Sequence, residues 1–357
     1  MPATINFLDN YVLMAIAEEL VPQTSFFKDR YFPTGANDLF ASDKVLTEYR
    51  KGDRRMACFV APRAGDIPVG RRGYSIHEYQ PAYIAPSRVL TIDELSVRGF
   101  GEAMYPGSTP AERAARLLLD DMQDLDARIR RREEWMAAQT MINNACTMQE
   151  YVDKDTKGDI NQINFFDSES DHTYTVSNVW NGADGDFFGD VKNMCKMLAR
   201  RGLPCADLIL GSDVADAVLN IEKVRELLDR VSGIITGTID QNIAYPGVTR
   251  MGVLNFGGFL LTLWDVSESY EDDNGEDTPY FPATSAMVTA PGCGHMMYGQ
   301  ITQIPYGSSE YSTFVADRVP KLVVDQKNDI RIFRLGTRPL AAPRNYCPYI
   351  YAANVVS

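Results

Sequence analysis

One helical pattern dominates this sequence and limits what it can fold into. Thr109 is a good N-cap, Pro110 occupies the first helical position and Glu112 completes a capping box. Leu118, Met122, Leu125, Ile129 and Met136 then lay an apolar stripe, while Asp120, Asp121, Asp124, Arg130, Arg131, Glu133 and Glu134 are assigned to the other faces. The pattern runs to about Cys146 or Tyr151. It predicts a helix of about 40 residues, roughly 55–60 Å at 1.5 Å per residue, against an average helix of about 11–12 residues. A helix of that length crosses a whole domain or lies along a sheet.

The segment before it is unlike a core. Residues 44–98 are basic, strand-like and interrupted by Pro and Gly. From Lys44 to Arg72 there are eight basic residues against Glu48, Asp53 and Asp66, a local charge of +5 in a chain of −13. Val45–Tyr49, Arg55–Ala61 and Tyr74–Leu95 are strand candidates, with turn residues at 62–68 and prolines at 81 and 86. An arm opposite in charge to its own body suits contact with another copy of the same chain. Arg50, Lys51, Arg54, Arg55, Arg63, Arg71 and Arg72 are the residues expected to make it.

Upstream, Leu8, Val12, Ile16 and Leu20 predict a short amphipathic helix ended by Pro22. Residues 23–41 concentrate Phe26, Phe27, Tyr31 and Phe32. They read as an irregular aromatic segment that packs across another surface, so these four are expected at an intersubunit contact.

Downstream, residues 152–182 read as a hairpin and connections. Phe187–Arg201 is a second helix, closed by Arg200, Arg201 and Gly202. DLILG at 207–211 is a buried strand, and Ser212 or Asp213 caps a third helix with Val214, Val218, Ile221 and Leu228 inward. Helix, strand, helix marks an α/β unit. From Gly233 the chain is mostly β, with Asn274-Gly275 the strongest hairpin turn, at the acidic tip Glu271–Asp277.

Several function classes find little support. With 48 acidic and 35 basic residues, the chain lacks the basic surface that grips phosphates. Six scattered cysteines without a C-x-x-C pair read as reduced thiols of a cytoplasmic protein. No signal peptide is apparent, and the apolar run Tyr11–Ala17 is too short to span a bilayer. The acidic tip lacks EF-hand spacing, and no phosphate-binding glycine motif occurs, so no metal or cofactor is expected. Arg130, Arg131 and Arg132 have acidic neighbours and read as a salt-bridged helix face or a subunit contact. Pro291-Gly292-Cys293-Gly294-His295 reads as a glycine turn with a core thiol. The alternative is a cytoplasmic α/β enzyme or ligand-binding protein with a site at Cys293, His295 and the DLILG strand.

The order of elements, and local runs, carry a resemblance. FFKDRYFPT at 26–34, ACFVAPRAGDIPVGRRGYSIHEYQPAYIAPSRVL at 57–90, residues 206–228 and the Asn274-Gly275 hairpin before Tyr280-Phe281-Pro282 resemble the phage lambda major head protein family. That family belongs to the tailed-phage major capsid proteins with the Hong Kong 97-like fold. The resemblance implies an α+β capsid fold and no enzymatic activity. It places an N-terminal arm at 1–43, an extended β-hairpin loop at 44–98 and a peripheral domain at 99–185 with its spine helix at 109–150. An axial domain follows at 186–285, and 286–357 returns to the peripheral domain. It further implies a structural subunit of the virion, assembled in the host cytoplasm into hexamers and pentamers of an icosahedral head. The partners implied are the chain itself, portal, scaffolding and decoration or cement proteins, and packaged double-stranded DNA held without sequence specificity; no membrane is implied. Some capsids of this fold crosslink a loop lysine to a neighbour's asparagine. Lys51 occupies such a position, but lambda-like heads do not use that chemistry.

Overall fold

The computed structural model describes residues 25–42, 44–49, 75–91, 110–153, 156–166, 171–182, 184–224, 226, 245–272, 275–327 and 330–357. The helix expected at residues 5–20 lies outside them.

The long helix is present as α2, Pro110–Asn143, 34 residues or about 51 Å. It is shorter than expected at its C-terminal end. Asn144 turns left-handed at φ 53°, and Ala145–Asp153 continues as strand β5, paired antiparallel with β6 (Thr156–Asn164). Cys146 and Met148 keep the apolar pattern going because they face the core from that strand.

A five-stranded sheet forms the centre. Its order is β19 (Ile350–Ala352), β12 (Ala286–Thr289), β7 (Asp207–Gly211), β9 (Leu260–Val266) and β8 (Val248–Asn255), with only β7 and β9 parallel. Every residue of β7 is buried, as the apolar run Leu208-Ile209-Leu210 requires of a strand covered on both faces. Leu208 and Leu210 pack with α3 (Phe187–Arg201) and α4 (Ser212–Asn220). Ile209 turns the other way, into the core that holds the second half of α2. Helix α3 matches its expected bounds, with Asp186 capping the Gly189 N–H at 2.9 Å and left-handed Gly202 (φ 77°) closing it. Helix α4 begins with Gly211, not Ser212 or Asp213, as its N-cap. Val214 and Val218 are buried as expected, while Leu228 lies outside the described residues.

The remaining sheets surround this core. Strand β13 (Gly294–Gly299) sits between β1 (Leu39–Phe40) and β18 (Pro339–Pro343). Strands β16 (Val319–Asp325), β17 (Ile330–Gly336) and β4 (Ser87–Leu90) form an antiparallel sheet. Leu322, Phe333 and Leu335 of that sheet pack on Met122, Leu125 and Ile129 of α2. Hairpins β10–β11 (Ser269–Glu271 with Asp277–Pro279) and β14–β15 (Ile301–Gln303 with Ser312–Phe314) complete it.

Ser87–Leu90, within residues 44–98, pairs with β17, and both β12 and β19, within residues 286–357, lie in the five-stranded sheet.

Candidate assembly site at the arm, spine and loop base

Phe26–Tyr31 forms a short helix, α1, and not the irregular segment expected. Phe26, Phe27, Tyr31 and Phe32 are completely buried within the chain's own core. Phe26 meets Phe27, Tyr31 and Tyr245 edge-on at 5.2–5.4 Å between ring centres. Burying such rings stabilises the chain by roughly 1.5–3 kcal/mol each, so the chain itself keeps them. Within the chain these four fasten residues 26–32 to its own core.

Three carboxylates grip α1. Glu134 of α2 accepts the backbone N–H groups of Phe27 and Lys28 at 2.6 and 2.7 Å, one on each oxygen. Glu133 takes the Lys28 ammonium and, on its other side, the Arg318 guanidinium at 2.8 and 3.0 Å; the Tyr298 hydroxyl donates to it at 3.0 Å. Arg318 also reaches Asp126 at 2.6 Å, one helical stretch up α2. Asp207, at the start of β7, receives Arg30 through two bonds of 2.7 and 2.9 Å, the Tyr31 hydroxyl at 3.1 Å and the Trp264 indole at 3.3 Å. The Arg30 guanidinium lies 4.7 Å over the Trp264 ring. Helix α1 is thus held to the spine helix and to the central sheet at once.

The two neighbouring glutamates differ in charge economy. Burial alone raises the carboxyl pKa of Glu133, but Arg318 and Lys28 outweigh it and hold it at about 2. Glu134 pairs with no cation among the described residues; complete burial pushes it up to about 8 against the two backbone N–H groups, with Glu268 adding repulsion. Sequence reading assigned both to a charged face partnering Arg130–Arg132. The structure turns them inward. The available signal was spacing: Glu133 stands four residues after Ile129 and three before Met136, on the apolar stripe itself. Of the arginine run, Arg130 pairs with Asp126 at 3.2 Å and Arg132 lies 5.2 Å over Trp135.

Two strands flank the basic segment. Val45–Tyr49 (β2) and Ser75–Tyr79 (β3) pair antiparallel, Val45 opposite Tyr79 and Tyr49 opposite Ser75. Residues 50–74 connect them. Arg50, Lys51, Arg54, Arg55, Arg63, Arg71 and Arg72 lie in that connection, outside the described residues. The base is tied to β6: Tyr79 packs on Phe165 at 5.5 Å, and the Asn161 amide donates to the Gln80 carbonyl at 3.2 Å.

At the alternative site, His295 Nδ1 does find a carboxylate, Asp38, at 2.9 Å. The rest of the chemistry is that of packing. Cys293 is buried, its thiol facing the Tyr31 carbonyl at 3.9 Å, and burial raises its pKa to about 12. A nucleophilic thiol needs the opposite shift. Burial also lowers the His295 pKa despite Asp38. Asp207 of the DLILG strand is fully engaged by Arg30, Tyr31 and Trp264. Gly294 exists for contact: a Cβ there would lie 2.3 Å from the Phe32 ring.

Comparison with known proteins gives a consistent answer. Residues 9–351 match the family described as phage major capsid protein E. A curated major capsid protein of Enterobacteria phage phi80 is 26% identical over 123 residues, 34% of each chain, so the match spans about a third of that relative's length. Among solved structures, a protein assigned as a prophage capsid protein in E. coli CFT073 superposes with a TM-score of 0.68 at 16% identity, covering 97% of this chain and 99% of the other. A phage-related protein from Bordetella bronchiseptica RB50 gives 0.51 at 14% identity, with 98% of each chain covered. At these identities the structural likeness speaks for the fold.

Proposed function

The chain belongs to the phage major capsid protein E family, and on that premise we propose that it is the shell-forming subunit of a tailed-phage head. The family match over residues 9–351 carries the reading, and a fold that follows a prophage capsid protein end to end supports it. In this reading the subunit works by contact and not by catalysis. It assembles with itself into hexamers and pentamers of an icosahedral shell, in the host cytoplasm, and remains in the virion around double-stranded DNA. Portal, scaffolding and decoration proteins are its further partners.

The physical logic rests on the division of labour within the chain. The arm aromatics and three carboxylates lock α1 to its own body. Residues 50–74, between the paired strands β2 and β3, carry Arg50, Lys51, Arg54, Arg55, Arg63, Arg71 and Arg72. Outside Lys44–Arg72 the chain sums to −18, so the basic segment is complementary in net charge to the rest of another copy. Stable contacts of this kind bury roughly 1,200–2,000 Å². An acidic body also avoids gripping packaged DNA.

Sedimentation velocity of the purified protein tests the proposal. Capsomers or shells are expected; a strictly 39.9-kDa monomer under every assembly condition contradicts it. Arg54→Glu together with Arg71→Glu is expected to leave the circular-dichroism helix signal unchanged and to abolish the fast-sedimenting species. Normal particles from that double variant would make the loop charge incidental.

A further inference from the structure

The sheet β16–β17–β4 has two faces, and only one is used by the spine helix. On the other face Val323, Ile332 and Val89 stand in one cross-strand row. Val323 and Val89 are 41% and 42% exposed. The next row holds Lys321 directly opposite Arg334, and Arg334 opposite Ser87. Tyr83 lies on the same side over Gly336, where a Cβ would meet its hydroxyl at 2.5 Å. The guanidinium carbons of Arg334 and Arg338 sit 5.8 and 5.6 Å from the Tyr83 ring centre.

Like charges directly opposite one another in a sheet are destabilising. Yet among the described residues no carboxylate pairs with Lys321, Arg334 or Arg338. Burial and the Arg334 charge together lower the Lys321 pKa. Among the described residues of these strands, the carboxylate on this face is Asp325, which stands at its far end and accepts the Lys327 N–H at 2.9 Å. Cations gathered with no carboxylate partner among the described residues, beside an exposed apolar row, suit an anionic protein surface. Phosphates would leave the valines and isoleucine uncovered.

The chain carries the complement. Between Ser269 and Pro279 there are five acidic residues, Glu271, Asp272, Asp273, Glu276 and Asp277, and no basic one. Glu271, Glu276 and Asp277 are exposed and form no ion pair among the described residues. Tyr270 and Tyr280, 4.9 Å apart, brace the hairpin that presents them.

We propose that the outward face of β16–β17–β4 is a docking surface for the acidic β10–β11 hairpin of a second copy of this chain. This rests on the shell-subunit reading and names one of its contacts. It is tested by charge exchange, scored as particle yield on a sucrose gradient. Lys321→Glu with Arg334→Glu, and separately Glu271→Lys with Asp277→Lys, are each expected to lower the yield on the order of tenfold, the effect of about 1.4 kcal/mol per contact. All four changes in one chain restore complementarity, so particles are expected to return, which also shows that the variants fold. Wild-type yield from either pair overturns the proposal. So does a fourfold variant that melts like wild type but stays unassembled. Intact shells that merely retain less DNA after the Lys321 and Arg334 changes would assign the face to nucleic acid and overturn it too. The unaltered protein in the same gradient separates the two claims: if it forms no particles, the shell reading itself falls.

Discussion

Glu133 and Glu134 are adjacent, equally buried and opposite in electrostatic character. Glu133 neutralises two cations; Glu134 serves as an acceptor for backbone. Glu133→Gln leaves Lys28 and Arg318 buried with reduced compensation. Breaking such a pair costs about 3–5 kcal/mol, so a clear drop in the urea midpoint is expected. The pH dependence follows from the direction of each shift. Glu133 is held at about 2 in the fold, below its ordinary 4.5, so its contribution is present above pH 4.5 and is lost as pH falls towards 2. Glu134 and Glu268 are raised, to about 8 and about 7, chiefly by burial. The folded chain holds their protons where the unfolded chain releases them, so stability declines as pH rises from about 5 through 8. Melting temperature measured across that range checks both slopes. Glu268→Gln should flatten the upper one.

Elements show what sequence can and cannot reveal. Helix α3 and strand β7 were legible because cap, period and terminator agree within a short window. The end of α2 was not: Cys146 and Met148 continue an apolar pattern that strand β5 serves equally well. The helix α1 and its packing were not legible for a different reason. Phe26, Phe27, Tyr31 and Phe32 show only that a large apolar surface must be buried; whether the same chain or a neighbour buries it depends on tertiary contacts with Glu133, Glu134 and Asp207, more than 100 residues away. Two substitutions probe the resulting packing. Gly294→Ala places a methyl against the Phe32 ring and should cost about 1–3 kcal/mol in thermal unfolding. Leu125→Ala empties the contact between α2 and the β16–β17 sheet and should cost about 2–5 kcal/mol. An unchanged melting curve in either case would mean that the contact yields more readily than its geometry indicates.

The whole molecule is layered: α3 and α4 on one face of the central sheet, the aromatic arm and the spine helix on the other. Its charge is just as unevenly arranged, with a basic connection at 50–74, a cationic sheet face and an acidic hairpin. The basic connection was legible in sequence, because a charge excess needs no fold to be counted. The cationic face was not, because Lys321, Arg334 and Tyr83 come together only through strand pairing. The proposed function requires that a chain with its aromatic segment packed internally and charges of both signs set apart meet copies of itself. Electron microscopy of the expressed protein tests that claim most directly. Closed shells of uniform diameter, or capsomers of six and five subunits, are expected; a field of dispersed single subunits under all assembly conditions would contradict the claim.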